Sequence, residues 1–212
     1  MARARIFTAV LTLALIAAFA LNVAPAQQAP RVPPVQDDTP DPDAAANLKA
    51  IAARGIKPHD IHRVYANAPK LQHRSSALAQ AIRNDATVPR ADRELIILRA
   101  TQLMRGDYQF TQHRTMALSC GITAAQIDSL PRWRESSLFN ERQRAVLAYA
   151  DGMVSPEGVT DTVFEAMKRH FSTREIVELT VTASYYSGSA QATRALGVQP
   201  EKEPDPTGYA KC

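Results

Sequence analysis

The run Leu95-Ile96-Ile97-Leu98, continued by Ala100, Leu103 and Met104, constrains this chain more than any other feature. At helical period these side chains cover nearly the whole circumference, so the helix carrying them must be buried on most sides. Pro89 suits its start and Gly106 its end, and Asp107 can cap the next helix, from Tyr108 to about Cys120. Gly121 stops that one. Upstream, Asp43 to Arg54 reads as a helix closed by Gly55, and Pro69 to Arg83 as another. Downstream, Thr123 with Gln126 forms a capping box for a short helix to Ser129, and Ser172 with Glu175 opens a long one toward Leu196 and Gly197. Asn140 to Gly152 and Asp161 to His170 are helical between them. Alanine is abundant, aromatics make up only 6% of residues, and no alternating run sits between hairpin turns. The chain is expected to be all-α. Arg93-Glu94-Leu95-Ile96-Ile97-Leu98 is echoed by Arg174-Glu175-Ile176-Val177-Glu178-Leu179, a hint of internal duplication.

Proline marks the limits of the folded part. Between residues 44 and 198 lie about 155 residues with five prolines, while Gln27 to Asp43 alone holds five. The expected organisation is a signal peptide over 1–26, a disordered proline-rich linker over 27–44, a helical domain over 45–198 and a flexible tail over 199–212. Arg3 and Arg5 precede an apolar stretch from Phe7 to Val23, and Ala24-Pro25-Ala26 supplies small residues for cleavage after Ala26. Those seventeen residues could also just span a bilayer as an uncleaved anchor, but Asn22 and the Ala-x-Ala site favour cleavage. The mature protein is then periplasmic or secreted, with no stable membrane anchor. Losing Arg3 and Arg5 takes the formal charge from +4 to about +2 and leaves no basic cluster, which argues against nucleic acid as a partner. Two cysteines exclude a disulfide-built miniprotein and a thiolate zinc ribbon.

One pair of residues suggests chemistry. Glu94 lies on the buried helix and His113 nineteen residues on, in the helix beyond the Gly106 turn. A short turn makes the two helices antiparallel neighbours, so carboxylate and imidazole can face each other, the arrangement of an oriented general acid/base. The plainer alternative is a first-turn acid beside a helix N-terminus and a satisfied core histidine. His59 and His62 flank a short helix but have no carboxylate pair to complete a metal site, and no metal is expected. His170 reads as a charge–dipole contact. Trp133 suits the core better than a pocket, whereas Tyr185 and Tyr186 suit either. No phosphate-binding glycine loop or nucleotide motif occurs.

The stretch Arg93 to Ile122, with Arg93, Glu94, Gly106, Asp107, Tyr108, Phe110, His113, Ala117, Gly121 and Ile122, resembles the signature of the carboxymuconolactone decarboxylase family, whose relatives include alkylhydroperoxidase D. The likeness extends from about Ile61 to Val198. It implies a compact helical domain with His113 and Glu94 as the catalytic acid–base pair. Arg93, Arg99, Arg114, Tyr108 and Gln109 would bind a small carboxylated substrate, the arginines through the planar guanidinium fork. It implies no cofactor, and a homo-oligomer, trimer or hexamer. The need to cover the apolar helix points the same way.

The peroxidase branch of that family needs a Cys-x-x-Cys pair, and the matching positions here are Gly106 and Gln109. Its thiol mechanism is therefore absent. Cys120 lies ~10 Å along the helix from His113 and suits a small buried hydrophobe. Cys212 could pair with it, pair with another chain or stay free. The decarboxylase branch carries glutamate at Gln109 and tryptophan at Phe110. The expected function is thus a cofactor-independent lyase or isomerase acting on a small carboxylated lactone or enol. The alternatives are an alkylhydroperoxidase-like redox protein and a non-catalytic periplasmic binding module.

Overall fold

In the computed structural model, which describes residues 29–201 and Cys212, helices follow one another and no strand occurs among those residues. They are α1 (Pro42–Ala52), α2 (Asp60–Tyr65), α3 (Pro69–Asn84), α4 (Arg90–Leu103) and α5 (Asp107–Ser119). After them come α6 (Ala124–Ser129), a 3-10 turn (Leu130–Arg132), α7 (Glu141–Val154), α8 (Asp161–His170) and α9 (Thr173–Leu196). The expected signal peptide and its cleavage after Ala26 lie outside the described residues, as does most of the expected tail.

Helix α4 is the axis of the molecule because it has no face suited to water. Every residue from Asp92 to Thr101 is buried, and α5, α7 and α9 pack along it. Leu95, Ile96 and Leu98 are sealed completely, each contributing about 2 kcal/mol of apolar burial. One chain supplies this cover, so the burial of α4 asks for no neighbouring subunit, contrary to the sequence argument. Large apolar side chains do remain exposed elsewhere, Leu71 and Leu78 on α3 and Val177 and Val181 on α9 among them.

The helix starts follow local chemistry. Thr123 with Gln126 and Ser172 with Glu175 form the expected capping boxes, and Asn140 with Gln143 makes a third. At the far end of α9, Gly197 takes the left-handed conformation, φ 71°, that ends a helix cheaply only in glycine. The turn between α4 and α5 differs from expectation. Its left-handed residue is Arg105, φ 52°, whereas Gly106 has an ordinary negative φ and is itself the N-cap, with Asp107 already inside the helix. Gly106 is needed for space: a Cβ there would lie 2.4 Å from the Cβ of Ala190 on α9. The echo between Arg93 and Arg174 is also out of register. Arg93 lies in the second turn of α4 and is buried, while Arg174 lies in the first turn of α9 and pairs with Glu178 on the surface.

The proline-rich segment does not behave as a disordered linker over residues 29–44. Arg31 donates its N–H to the Leu196 carbonyl at 2.8 Å, Val35 donates to the Arg63 carbonyl at 3.1 Å, and Asn67 holds the Pro33 carbonyl at 2.9 Å. The segment is too polar to build a core of its own, but its backbone groups find partners on a preformed one. Ala44 and Leu48 of α1 then form a small satellite cluster with Ala66. Residues 199–201 likewise lie on the domain, through the Glu201 carboxylate, and a disulfide joins Cys212 to Cys120.

Candidate functional site

The hairpin of α4 and α5 brings Glu94 and His113 together. His113 Nδ1 lies 2.7 Å from Glu94 Oε2, and both side chains are almost wholly buried. Arg90, one turn earlier on α4, donates Nε–H to Glu94 Oε1 at 2.5 Å. Burial alone would raise the pKa of this carboxyl group. The neighbouring His113 and Arg90, through charge and hydrogen bonds, outweigh burial and hold it below the usual carboxylate range. Glu94 is thus ionised at neutral pH and accepts from both neighbours. An ionised acceptor at Nδ1 puts the imidazole proton on that atom and leaves Nε2 as the basic nitrogen.

His113 lines a cavity of about 90 Å³ between α2, α3, α5 and α9. Tyr186 of α9 packs edge-on against the His113 ring, with centroids 4.5 Å apart. Its phenol is buried, which keeps it protonated, and the oxygen has no hydrogen-bond partner. Gln72 of α3 donates Nε2–H to the His62 carbonyl at 2.9 Å, and its buried Oε1 has no partner either. Groups desolvated in this way each cost about 1–3 kcal/mol unless a ligand or water meets them. His62 Nδ1 accepts the N–H of His59 at 3.0 Å, so its proton is on Nε2. Burial, His59 and the nearby Arg83, Arg54 and Arg63 push its pKa down to about 3, so the ring stays neutral.

At another edge of the cavity the chain supplies its own carboxylate. Glu201 accepts from Tyr108 Oη at 3.0 Å, from Gln112 Nε2 and from the Asp60 N–H at 3.2 Å, with His59 Nδ1 3.8 Å away. Gln109 joins α5 to α9, donating to Ser189 Oγ at 2.8 Å and accepting from Thr193 Oγ1 at 3.0 Å.

Of the residues expected at the site, His113, Tyr108 and Gln109 line the cavity and Glu94 stands behind His113. The three arginines do not line it. Arg93 donates to the Ile82 and Arg83 carbonyls, Arg99 to Asp151 at 2.6 Å and the Leu130 carbonyl at 3.0 Å, and Arg114 to Asp128 at 3.1 Å on the surface. Each guanidinium finds a nearer acceptor within the fold, which corrects their expected role as carboxylate ligands. Trp133 is core, bonded to Asp151, while Tyr185 and Tyr186 are cavity residues. Cys120 is half-buried and tied to Cys212, and no cysteine lines the cavity. Sequence reasoning missed Arg90, although its i,i+4 spacing to Glu94 was there to be read. It also missed His62 and Gln72 as cavity residues, because nothing in their spacing connects α2 and α3 to α5.

Known proteins resemble this chain in sequence or in fold. Residues 69–152 match the model of the Carboxymuconolactone decarboxylase family. An uncharacterised Bacillus subtilis (strain 168) protein, YdfG, is 21% identical over 114 residues, 53% of this chain and 78% of its own length. A crystal structure of a protein of unknown function from Agrobacterium tumefaciens superposes with TM-score 0.62 at 26% identity, covering 66% of this chain and 97% of that one. The alkylhydroperoxidase AhpD core of a peroxidase-related protein from Ralstonia eutropha JMP134 gives 0.71 at 18% identity, covering 86% of this chain and 98% of that one. The debrominase Bmp8 gives 0.66 at 18% identity, covering 82% of this chain and 94% of that one. The last two likenesses concern the fold alone.

Proposed function

From the match of residues 69–152 to the Carboxymuconolactone decarboxylase family model and the alkylhydroperoxidase D-like all-α fold, we propose that this chain is a cofactor-independent lyase or isomerase. Its substrate is a small carboxylated lactone or enol, and His113 and Glu94 manage the proton. The observation that carries this reading is the 2.7 Å contact between Glu94 and the Nδ1 of a histidine that lines the cavity. As a base, His113 Nε2 takes a proton from a carbon beside a carbonyl and returns it to another carbon, which is isomerisation. As an acid, protonated His113 gives its proton to the carbon that loses CO₂: the C–C bond breaks, its electron pair enters the adjacent π-system, and the new C–H bond forms from that pair. In both cases the Glu94 carboxylate stabilises the imidazolium and holds its orientation. The absence of a thiol from the cavity lining favours proton transfer over thiol peroxidase chemistry.

The test is an ultraviolet screen of purified protein against carboxymuconolactone-like acids. Turnover should fall roughly 10²–10⁴-fold in His113→Ala; turnover unchanged in that variant would remove the proposal. The reading includes export and self-association as a trimer or hexamer. Intact mass starting near Gln27 tests the first and light scattering the second.

A further inference from the structure

The α2–α3 side of the cavity carries polar groups that the acid–base pair does not use. Its arginines come from the region of the N-terminal helices and not from the Arg93–Ile122 stretch. Arg54 follows α1 and Arg83 lies in the last turn of α3, and both line the cavity. Gln80 holds them side by side: with its amide oxygen toward them, it accepts from Arg54 Nη1 at 3.0 Å and from Arg83 Nη2 at 3.3 Å. Two guanidiniums that converge on one acceptor bring together several N–H donors of the kind that bind carboxylate. His62 lines the same side, its Nδ1 taken by the His59 N–H, so its Nε2–H is a donor that cannot turn into an acceptor. Gln72 adds the opposite polarity. Its nitrogen is used by the His62 carbonyl, which fixes the amide, and its Oε1 is a buried acceptor without a donor. A carboxylate alone would leave that acceptor unmet.

We propose that this side of the cavity is a recognition subsite for a carboxylate with a hydroxyl on the adjacent carbon, a 2-hydroxy acid or its enol counterpart. Arg54 and Arg83 take the carboxylate, His62 Nε2–H donates to an oxygen of the same head group, and Gln72 Oε1 accepts from the hydroxyl. Tyr186 Oη, a second cavity atom without a hydrogen-bond partner, belongs to the ring packed edge-on against His113, where the head group meets the proton-transfer centre. The other donor cluster, around Tyr108 and Gln112, holds the Glu201 carboxylate. Arg54 and His62 lie outside the family-matched segment 69–152, whereas Gln72, Gln80 and Arg83 lie inside it. The proposal rests on the reading of the cavity as a substrate site and narrows its substrate class.

The test is calorimetric binding of three small probes to the intact chain at neutral pH: lactate, propanoate, which lacks the hydroxyl, and lactamide, which lacks the charge. Lactate should bind more tightly than either of the others by about tenfold, the usual worth of one charge-assisted or buried hydrogen bond. Gln72→Leu should erase the preference over propanoate, and Arg83→Gln the preference over lactamide. Equal binding of lactate and lactamide, equal binding of lactate and propanoate, or no saturable lactate binding each overturns the subsite. Should a variant fail to fold, the ranking of the three probes on the wild-type chain decides alone. The readout needs no turnover. A His113→Ala protein with full activity would therefore sink the acid–base reading and leave these binding ratios standing.

Discussion

Replacing Glu94 by glutamine should affect catalysis far more than folding, and the reason is geometric. The carboxylate accepts at both oxygens, from His113 Nδ1 at 2.7 Å and from Arg90 Nε at 2.5 Å. Glutamine keeps one acceptor and puts an NH₂ at the other position. Arg90 cannot accept, so the remaining oxygen goes to Arg90 and the NH₂ faces His113. The imidazole relieves the donor–donor conflict by moving its proton to Nε2, which turns the cavity-facing nitrogen from a base into a donor. Breaking a buried ion pair outright costs about 3–5 kcal/mol, but this variant retains two neutral or singly charged hydrogen bonds. The expected loss is about 1–3 kcal/mol, against a fall in turnover of roughly 10²–10⁴-fold.

Linkage gives the stability loss a pH signature. The folded-state pKa of Glu94 is lowered, so its contribution is present above the ordinary carboxylate pKa and disappears as pH falls through the folded value. Urea denaturation should show the wild type approaching the variant as the buffer is acidified. Nitrogen-15 NMR of the imidazole reads the tautomer directly: neutral His113 should carry its proton on Nδ1 in the wild type and on Nε2 in Glu94→Gln. A wild-type His113 protonated on Nε2, or a variant with unchanged tautomer and unchanged turnover, would refute the reasoning.

Three further outcomes follow from other parts of the fold. Asp151→Ala should destabilise the protein by about 3 kcal/mol in urea, since Asp151 accepts from the buried Arg99 at 2.6 Å and from Trp133 Nε1 at 3.2 Å; a loss under half of that would show the pair to be solvent-screened. The His62 ring signal should stay unchanged as pH is lowered through the ordinary histidine range near 6.5, because burial, and then His59, Arg83, Arg54 and Arg63, push its folded pKa down to about 3. Stability should correspondingly decline as pH falls from about 6.5 toward 3, and less so in His62→Gln; a ring titrating near 6.5 would contradict this. Gly106→Ala should cost about 1–3 kcal/mol by overpacking, with Ala190→Gly recovering part of it, because the added methyl meets Ala190 at 2.4 Å.

The parts of this molecule legible in its sequence are those governed by local rules. Helix starts at Thr123, Asn140 and Ser172 were readable because capping residues act within four positions. Glu94 and His113 were readable as a pair because one short turn fixes how two helices meet. The fate of the arginines was not. Whether Arg99 reaches a ligand or Asp151, 52 positions away, depends on how α7 docks on α4, and no local pattern records that. The proline-rich segment misled for the same reason: composition describes what a segment can bury by itself, not the carbonyl of Leu196 that Arg31 finds at the other end of the chain. The two sides of the cavity differ in just this way, since α5 carries a motif and α2 and α3 carry only residues whose meaning appears after folding.

The positions that carry thiols in the peroxidase branch are used here for structure. Gly106 lets the start of α5 approach α9 until a single added carbon would collide with Ala190, and Gln109 then fastens the same two helices through Ser189 and Thr193. A cysteine at the first position brings the forbidden Cβ, and one at the second is too short to span both partners. A thiol at position 106 and the close packing of α5 on α9 therefore exclude one another. That packing carries Tyr186 to its edge-on contact with His113 and holds the imidazole against the cavity. A redox site needs room for two sulfurs and an approaching oxidant, whereas a proton-transfer site gains from a rigid, closely packed base. The close contact of α5 and α9 supports the proposed proton-transfer reading.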